Sequence, residues 1–267
     1  MTWTTPQQFK TDNGLMVLAG GQGPLFVFLH GVGLQSEAWQ GICEKLSNDF
    51  SIQAIDLPGH GDSEHINISA PRLEDYSNKI AAYLKSLKTP IYLAGHSMGA
   101  MIALDIAIRF PKLVKNLAAL NAIYQRSSTA ARAVQARAEA LKGLPQEDLK
   151  TDVTLTRWFG DNPSGDRLEA AQSCKRWLHA TPITEYQQAY SVFAHHDGPA
   201  AAELAQLGIP ALFITGSEEL NSTPDMSRQM AEIAPMGTAK IINGAAHMMP
   251  MTHAAHVAAA LKEHSRG

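Results

Sequence analysis

Residues 95–99 read Gly-His-Ser-Met-Gly, a G-x-S-x-G pattern that could present a nucleophile. The apolar run before it, residues 91–94, predicts a short buried strand, and residues 100–109 after it favour a helix. A tight strand-to-helix turn would expose the Ser97 hydroxyl beside the free N–H groups of the helix start. The two glycines leave room for neighbouring backbone. We therefore expect a nucleophilic Ser97, with a glycine-flanked serine in an ordinary turn as the alternative.

The composition is that of a globular protein, with 45% hydrophobic and 18% charged residues in a chain of 267. A net charge of -3 and the absence of a Lys/Arg run argue against a nucleic-acid surface. Neither a signal peptide nor a membrane-spanning segment is predicted, so we expect a cytoplasmic protein, monomeric or homodimeric. Cys43 and Cys174 form no motif, and we expect no disulfide.

Buried-strand patterns alternate with helical ones along most of the chain, which predicts an α/β fold with a mainly parallel sheet covered on both faces. The strand patterns lie at residues 25–29, 51–55, 91–94, 113–120, 211–215 and 239–242. Two more short strands are expected around the turn at residues 12–14, and Ser36 is predicted as the N-cap of the first helix.

The alternation stops in the middle of the chain, where the pattern is helical only. We expect residues 124–196 to form a helical lid, and residues 1–123 and 197–267 to form the two parts of the core.

Four motifs, each at the end of a predicted strand, resemble those of the α/β-hydrolase superfamily. Residues 30–33 (His-Gly-Val-Gly) are similar to its HG-x-G oxyanion loop, and residues 56–63 to its D-x-P-G-x-G-x-S loop. Residues 95–99 match the nucleophile elbow, and residues 244–247 match the G-x-x-H turn of the catalytic histidine. The resemblance covers nearly the whole chain and implies the α/β-hydrolase fold of a lidded serine hydrolase, similar to esterases and enol-lactonases.

The resemblance implies a role for each of these residues. Ser97 would be the nucleophile and His247 the base that activates it, because a free serine hydroxyl is a poor nucleophile. The backbone N–H groups of Val32 and Met98 would stabilise the oxyanion, each contributing roughly 3 kcal/mol.

The acid departs from the family pattern, which has Asp in G-x-x-D after this strand. Here Gly216-x-x-Glu219 places a glutamate, which is chemically sufficient because only a buried carboxylate within reach of the histidine is needed. Glu218 and Asp225 are the alternatives. The other acid position, after the preceding strand, carries Asn121.

Four residues beside these motifs are predicted to contact substrate: His30, His96, Trp158 and Met248. The alternatives are structural hydrogen bonding by the two histidines and packing by Trp158. Lid arginines 126, 132, 137 and 157 would suit an anionic substrate, unless they are simply solvated. Residues 195–197 (His-His-Asp) are consecutive and diverge, so neither a metal nor another cofactor is expected.

A serine nucleophile with an oxyanion hole predicts acyl transfer to water. We expect hydrolysis of a small soluble carboxylic ester or lactone, with a small molecule as the partner and neither nucleic acid nor membrane. A C–C hydrolase of meta-cleavage products is the alternative with the same triad. A ligand sensor on the same fold is the alternative from another class.

Overall fold

A computed structural model describes residues 6–266 of the chain. The strands are β1 (Gln7–Lys10), β2 (Met16–Gly21), β3 (Leu25–Leu29), β4 (Ser51–Ile55), β5 (Ile91–His96), β6 (Val114–Leu120), β7 (Ala211–Gly216) and β8 (Gly237–Ile242). These eight strands form one sheet in the order β1-β2-β4-β3-β5-β6-β7-β8, in which β2 pairs antiparallel with both β1 and β4, and β3 to β8 all run parallel to one another. The mainly parallel sheet predicted from the sequence is thereby confirmed.

Helices follow most of the parallel strands, as right-handed crossovers require. Three short 3₁₀ helices, Ser36–Trp39, Pro111–Leu113 and Gln146–Asp148, supplement them. The α-helices are α1 (Gln40–Leu46), α2 (Leu73–Ser86), α3 (Met98–Arg109), α4 (Ser128–Leu141), α5 (Thr151–Phe159), α6 (Asp166–Ala180), α7 (Ile183–Ala194), α8 (Ala201–Leu204), α9 (Pro224–Ile233), α10 (Met249–Thr252) and α11 (Ala254–His264).

The sheet is buried on both faces because successive side chains of a strand point to opposite sides. In β3, Val27 and Leu29 join the core that also contains α2 and α3, whereas Phe26 and Phe28 join the core with α1 and α11. A continuous apolar run is what such a strand requires.

The stretch expected to be helical forms four α-helices, α4 to α7, here called the helical segment (residues 128–194). No strand occurs between residues 124 and 196. Two smaller apolar clusters hold the segment together, and one of them includes Met248 and Leu34 from the sheet side of the molecule. The helical segment therefore packs on the same end of the sheet as the strand-end loops.

The predicted N-cap role of Ser36 is wrong. Ser36 begins a 3₁₀ helix, its N–H donates to Asp56 Oδ1 at 2.7 Å, and α1 starts only at Gln40. Ser36 is therefore held by a hydrogen bond to the Asp56 carboxylate and does not cap a helix.

No helix in residues 6–266 combines the length and the hydropathy needed to cross a bilayer.

Candidate active site

The turn between β5 and α3 holds Ser97 in a left-handed conformation, with φ 56° and ψ -119°. A Cβ atom on Gly95 would overlap the carbonyl oxygen of Gly99, and a Cβ on Gly99 would overlap that of Leu29. Only glycine fits at either position, which explains the spacing of the pattern. The strained backbone aims the Ser97 side chain off the end of the sheet, and strain of this kind concentrates at functional sites.

Ser97, Glu219 and His247 meet at one edge of the sheet because each follows the carboxyl end of a parallel strand, β5, β7 or β8. Ser97 and His247 line the same cavity. Glu219 Oε2 lies 2.7 Å from His247 Nδ1, and the Glu219 side chain is only 1% exposed. A carboxylate at Nδ1 fixes the tautomer in which Nε2 is free to accept a proton.

Glu219 is ionised although it is buried. Burial raises its pKa, but the charge and hydrogen bond of His247 and the backbone N–H groups of Asn221 and Ser222 outweigh burial and lower the pKa below its ordinary value. The Asn221 N–H donates to Oε1 at 2.7 Å. A carboxylate stabilised in this way can in turn stabilise an imidazolium.

The two alternative acids lie elsewhere. Glu218 and Asp225 are both exposed, and Asp225 pairs with Arg228 at 2.7 Å. Of the three acidic residues weighed from the sequence, the structure brings only Glu219 to the histidine.

The loop of residues 31–33 lies against the nucleophile, since a Cβ on Gly31 would lie 3.1 Å from the Ser97 Cβ. Val32 lines the cavity, and Met98 is the first residue of α3. N–H groups of the first helical turn have no partner within the helix. Val32, next to Gly31, and Met98, next to Ser97, therefore both lie in backbone segments that adjoin the nucleophile.

Two buried histidines hold this loop. His60 Nε2 accepts the Gly33 N–H at 3.0 Å, and His30 Nε2 accepts the Leu57 N–H at 2.9 Å. Each ring must be neutral to accept, and burial lowers the pKa of His30 to about 4 and that of His60 to about 3. His30 is fully buried and does not line the cavity, so its expected contact with substrate is corrected to support of the loop.

His96 and Met248 also differ from expectation. His96 is 2% exposed and its Nε2 donates to the His247 carbonyl oxygen at 2.8 Å, while Met248 is buried among Leu34 and Phe159. Neither lines the cavity. His96 and Met248 adjoin Ser97 and His247 in the sequence, but their side chains pack behind the site and do not reach the cavity where a substrate would bind.

Trp158 does line the cavity. Its ring stacks on that of His247, with centroids 5.8 Å apart and planes inclined by 23°. This contact joins the helical segment to the imidazole.

The cavity has a volume of about 440 Å³ and lies between the strand-end loops and the helical segment. Its wall is mainly apolar and aromatic but contains three arginines. The residues that complete the wall are Gly31, Leu34, Ala130, Ala133, Val134, Thr154, Tyr186, Tyr190, Phe193, Leu220 and Asn221.

The three arginines differ in how their charge is balanced. Arg126 pairs with Asp197 and donates to two backbone carbonyls of residues 193 and 196. Arg137 donates to Thr154 Oγ1 at 2.6 Å and lies over the Tyr190 ring, and Arg157 is exposed. Across residues 6–266, neither Arg137 nor Arg157 pairs with a carboxylate. The wall therefore presents uncompensated positive charge.

Three residues of this site were not predicted from the sequence. Thr154 and Tyr190 orient Arg137, and the Asn121 amide donates to Glu219 Oε2 at 3.0 Å. The only sequence signal for Asn121 was its position directly after β6, and none distinguished Thr154 or Tyr190 from other residues of an amphipathic helix. Asp197 pairs with Arg126, and no group of three potential metal ligands occurs in the described part of the chain.

Replacement of Glu219 by Gln should lower kcat/KM for p-nitrophenyl acetate by about 10³–10⁴, because the neutral amide no longer stabilises the imidazolium. Glu218→Gln is the matched control, since this exposed neighbour does not contact His247, and it should stay within about twofold of wild type. A larger loss in Glu218→Gln than in Glu219→Gln would contradict this assignment.

The buried histidines predict that the protein loses stability as the pH falls from about 6.5 to 4.5. An unfolded histidine binds a proton below about pH 6.5, whereas folded His30 and His60 stay neutral until about pH 4 and about pH 3. The unfolded state therefore binds more protons, and the free energy of unfolding falls by about 1.4 kcal/mol per pH unit for each such histidine.

Urea denaturation measured across this pH range gives the free energy of unfolding as a function of pH. The slope of that plot should be shallower in His60→Gln than in wild type, by the equivalent of about one bound proton. The exposed His65, changed to Gln, provides the control and should keep the wild-type slope. Equal slopes in the wild-type protein and His60→Gln would show that His60 is not held neutral.

Known proteins resemble this chain over almost its full length. A family model described as the alpha/beta hydrolase family matches residues 26–261. An (E)-2-((N-methylformamido)methylene)succinate hydrolase of Acinetobacter baylyi is 38% identical over 87% of this chain and 86% of its own. A pimeloyl-[acyl-carrier protein] methyl ester esterase of Chromobacterium violaceum is 28% identical over 94% and 97%. The enol-lactonase of Burkholderia xenovorans superposes with a TM-score of 0.80, at 20% identity over 98% and 100% of the chains, and so shares the fold. The chain therefore belongs to the alpha/beta hydrolase family, as its motifs predicted.

Proposed function

We propose that this protein is a serine hydrolase that cleaves an acyl bond in a small substrate bearing one or two carboxylates, such as an acylated succinate derivative. The observation that carries the proposal is a single cavity with Ser97 and His247 at one place in its wall and the uncompensated arginines 137 and 157 at another. The first group supplies acyl-transfer chemistry, and the second selects for negative charge.

In the first half of the reaction, His247 Nε2 takes the Ser97 hydroxyl proton while Oγ attacks the acyl carbon. The carbonyl oxygen becomes an oxyanion that the N–H groups of Val32 and Met98 stabilise. The bond from the acyl carbon to the leaving nitrogen or oxygen then breaks, and the leaving atom takes the proton from His247. Glu219 stabilises the imidazolium that exists between these two proton transfers.

In the second half, a water molecule gives its proton to His247 Nε2 and attacks the acyl carbon. Collapse of the second tetrahedral intermediate releases a carboxylic acid and returns the proton to Ser97 Oγ. An ester, a lactone and an N-acyl compound all pass through these steps, because only the leaving atom differs.

Charge in the cavity supports an anionic substrate. Arg137 is oriented by Thr154 Oγ1 and Tyr190 and therefore presents its remaining N–H groups in a defined direction. A guanidinium matches the geometry of a carboxylate, and a hydrogen bond to a charged group contributes about 1.5–3 kcal/mol. Val134, Tyr186 and Phe193 line the same cavity as Arg137, and their apolar and aromatic side chains would exclude water from such a contact.

The names of the relatives support the same class. The Acinetobacter relative is named for a succinate that carries a formamide, and the Chromobacterium relative for a methyl ester. Both names contain an acyl group, and the name of the more similar relative also contains a dicarboxylate. We therefore place an N-acylaminomethylene succinate first among substrates to test, ahead of neutral esters and enol-lactones.

The test compares a succinate of this kind with p-nitrophenyl acetate, an enol-lactone and a meta-cleavage dienoate, each with wild type and Ser97→Ala. Turnover of the succinate that Ser97→Ala abolishes is the expected result. Exclusive turnover of the dienoate would indicate the C–C hydrolase instead, and a single event without turnover would indicate a ligand sensor.

Arg137→Gln should raise KM for the succinate about 10- to 100-fold, since one charge-assisted contact is lost, and should leave KM for the neutral p-nitrophenyl ester within about twofold. Arg132→Gln is the matched control on the same helix, because Arg132 is exposed and outside the cavity wall. Equal KM values for the succinate in the two variants would contradict a carboxylate contact at Arg137.

A further inference from the structure

Asn121 follows β6 with a φ of 51°, in the left-handed region that asparagine adopts more readily than most residues. Its Oδ1 is buried without a partner among the described residues, and this costs stability. The residue is 1% exposed. Unfavourable features of this kind persist where another interaction of the same residue requires them.

That interaction is made by the Asn121 amide nitrogen, which donates in two directions. One hydrogen bond reaches Glu219 Oε2 at 3.0 Å, and the other reaches the His247 carbonyl oxygen at 2.9 Å. The Asn121 backbone N–H also donates to the Ile214 carbonyl of β7 at 2.8 Å. One side chain thus joins the ends of β6, β7 and β8.

The orientation of this amide is determined by its partners, because both are acceptors. A turned amide would place Oδ1 against a carboxylate and a carbonyl, which is repulsive. The His247 carbonyl accepts a second hydrogen bond, from His96 Nε2 at 2.8 Å. His96 at the end of β5 and Asn121 after β6 therefore both donate to the His247 backbone. Of these two residues, only Asn121 also donates to Glu219.

We propose that Asn121 is a positioning residue that fixes the Glu219 carboxylate relative to the His247 imidazole. The inference rests on the proposed function, since it assigns Asn121 to the acid–histidine pair of that reaction. Without the amide, Glu219 Oε2 keeps His247 Nδ1 as a partner but loses the donor that sets its angle, and the His247 backbone loses one of two restraints.

The same amide has an electrostatic effect with a definite sign. Its N–H groups direct partial positive charge at the Glu219 carboxylate and at the His247 carbonyl oxygen, which offsets part of the negative charge that Glu219 presents to the imidazole. The charged and titratable groups that face His247 are Glu219 from the β7 loop, His96 from β5 and the cavity arginines 126, 137 and 157. Loss of the amide should therefore move the acidic limb of the pH–rate profile, where the rate falls with falling pH, to higher pH.

The experiment follows phosphonylation of Ser97 by a fluorophosphonate across pH 5–9, detected by intact mass, because this reaction needs the histidine base but no knowledge of the substrate. Asn121→Gly removes the side chain at a φ that glycine tolerates. Asn121→Asp keeps size and shape but replaces the donor by a second carboxylate. Asn116→Ala is the matched control, since Asn116 is buried in the same strand and donates to the His264 carbonyl at 3.0 Å, away from the site.

We expect the phosphonylation rate of Asn121→Gly to fall about tenfold. The acidic limb of its pH–rate profile should move up by about half a pH unit. The acidic limb of Asn121→Asp should move further, by about one unit. Asn116→Ala should keep the wild-type rate and limb even where its urea midpoint falls.

A rate within twofold of wild type in Asn121→Gly would overturn the inference while leaving the proposed function standing. So would a lower rate with an unmoved acidic limb, because a merely structural role predicts that result. Failure of the wild-type protein itself to be phosphonylated at Ser97 would overturn the proposed function and this inference together.

Discussion

The start of α3 lies so close to the ends of β5 and β3 that no side chain fits at Gly95, where it would meet the Gly99 carbonyl, or at Gly99, where it would meet the Leu29 carbonyl. This contact bends the chain sharply between β5 and α3 and holds Ser97 in a left-handed conformation. Because β5 to β8 are parallel, the residues that leave their carboxyl ends, among them Asn121, Glu219 and His247, come to the same edge as Ser97. The sheet thus assembles a reactive group from residues that lie up to 150 positions apart in the chain, which is the span from 97 to 247.

Two structural layers contribute differently to the site. The strand ends provide buried, hydrogen-bonded groups whose protonation is controlled by burial and by neighbours, as the lowered pKa values of Glu219, His30 and His60 show. The helical segment provides the wall, with apolar and aromatic side chains and arginines. Trp158, stacked on His247, connects the two layers. Changes in the wall can alter which substrate is accepted without altering the chemistry at the strand ends.

Much of this was predictable from the sequence, and the exceptions have a common cause. Local patterns predicted the alternating strands and helices and the mainly parallel sheet, because they depend on neighbouring residues. The resemblance to the family's G-x-x-D position favoured Glu219 over Glu218, which the structure places on the surface. His30, His96 and Met248 were assigned to substrate because they adjoin motifs, whereas adjacency in sequence does not reveal whether a side chain faces the cavity or the core behind it. The two hydrogen bonds of Asn121 join three strand ends and leave no local pattern.

The proposed reaction requires Ser97 to receive the acyl group, and rapid-quench peptide mapping tests this directly. The protein is mixed with p-nitrophenyl acetate, quenched in acid within milliseconds and digested with trypsin, which releases residues 89–109 between Lys88 and Arg109 as one peptide. We predict an acetyl group on Ser97 in this peptide, formed at a rate at least equal to turnover and lost as substrate is exhausted. Sustained turnover with an unmodified Ser97, or acetylation at another residue, would contradict the account.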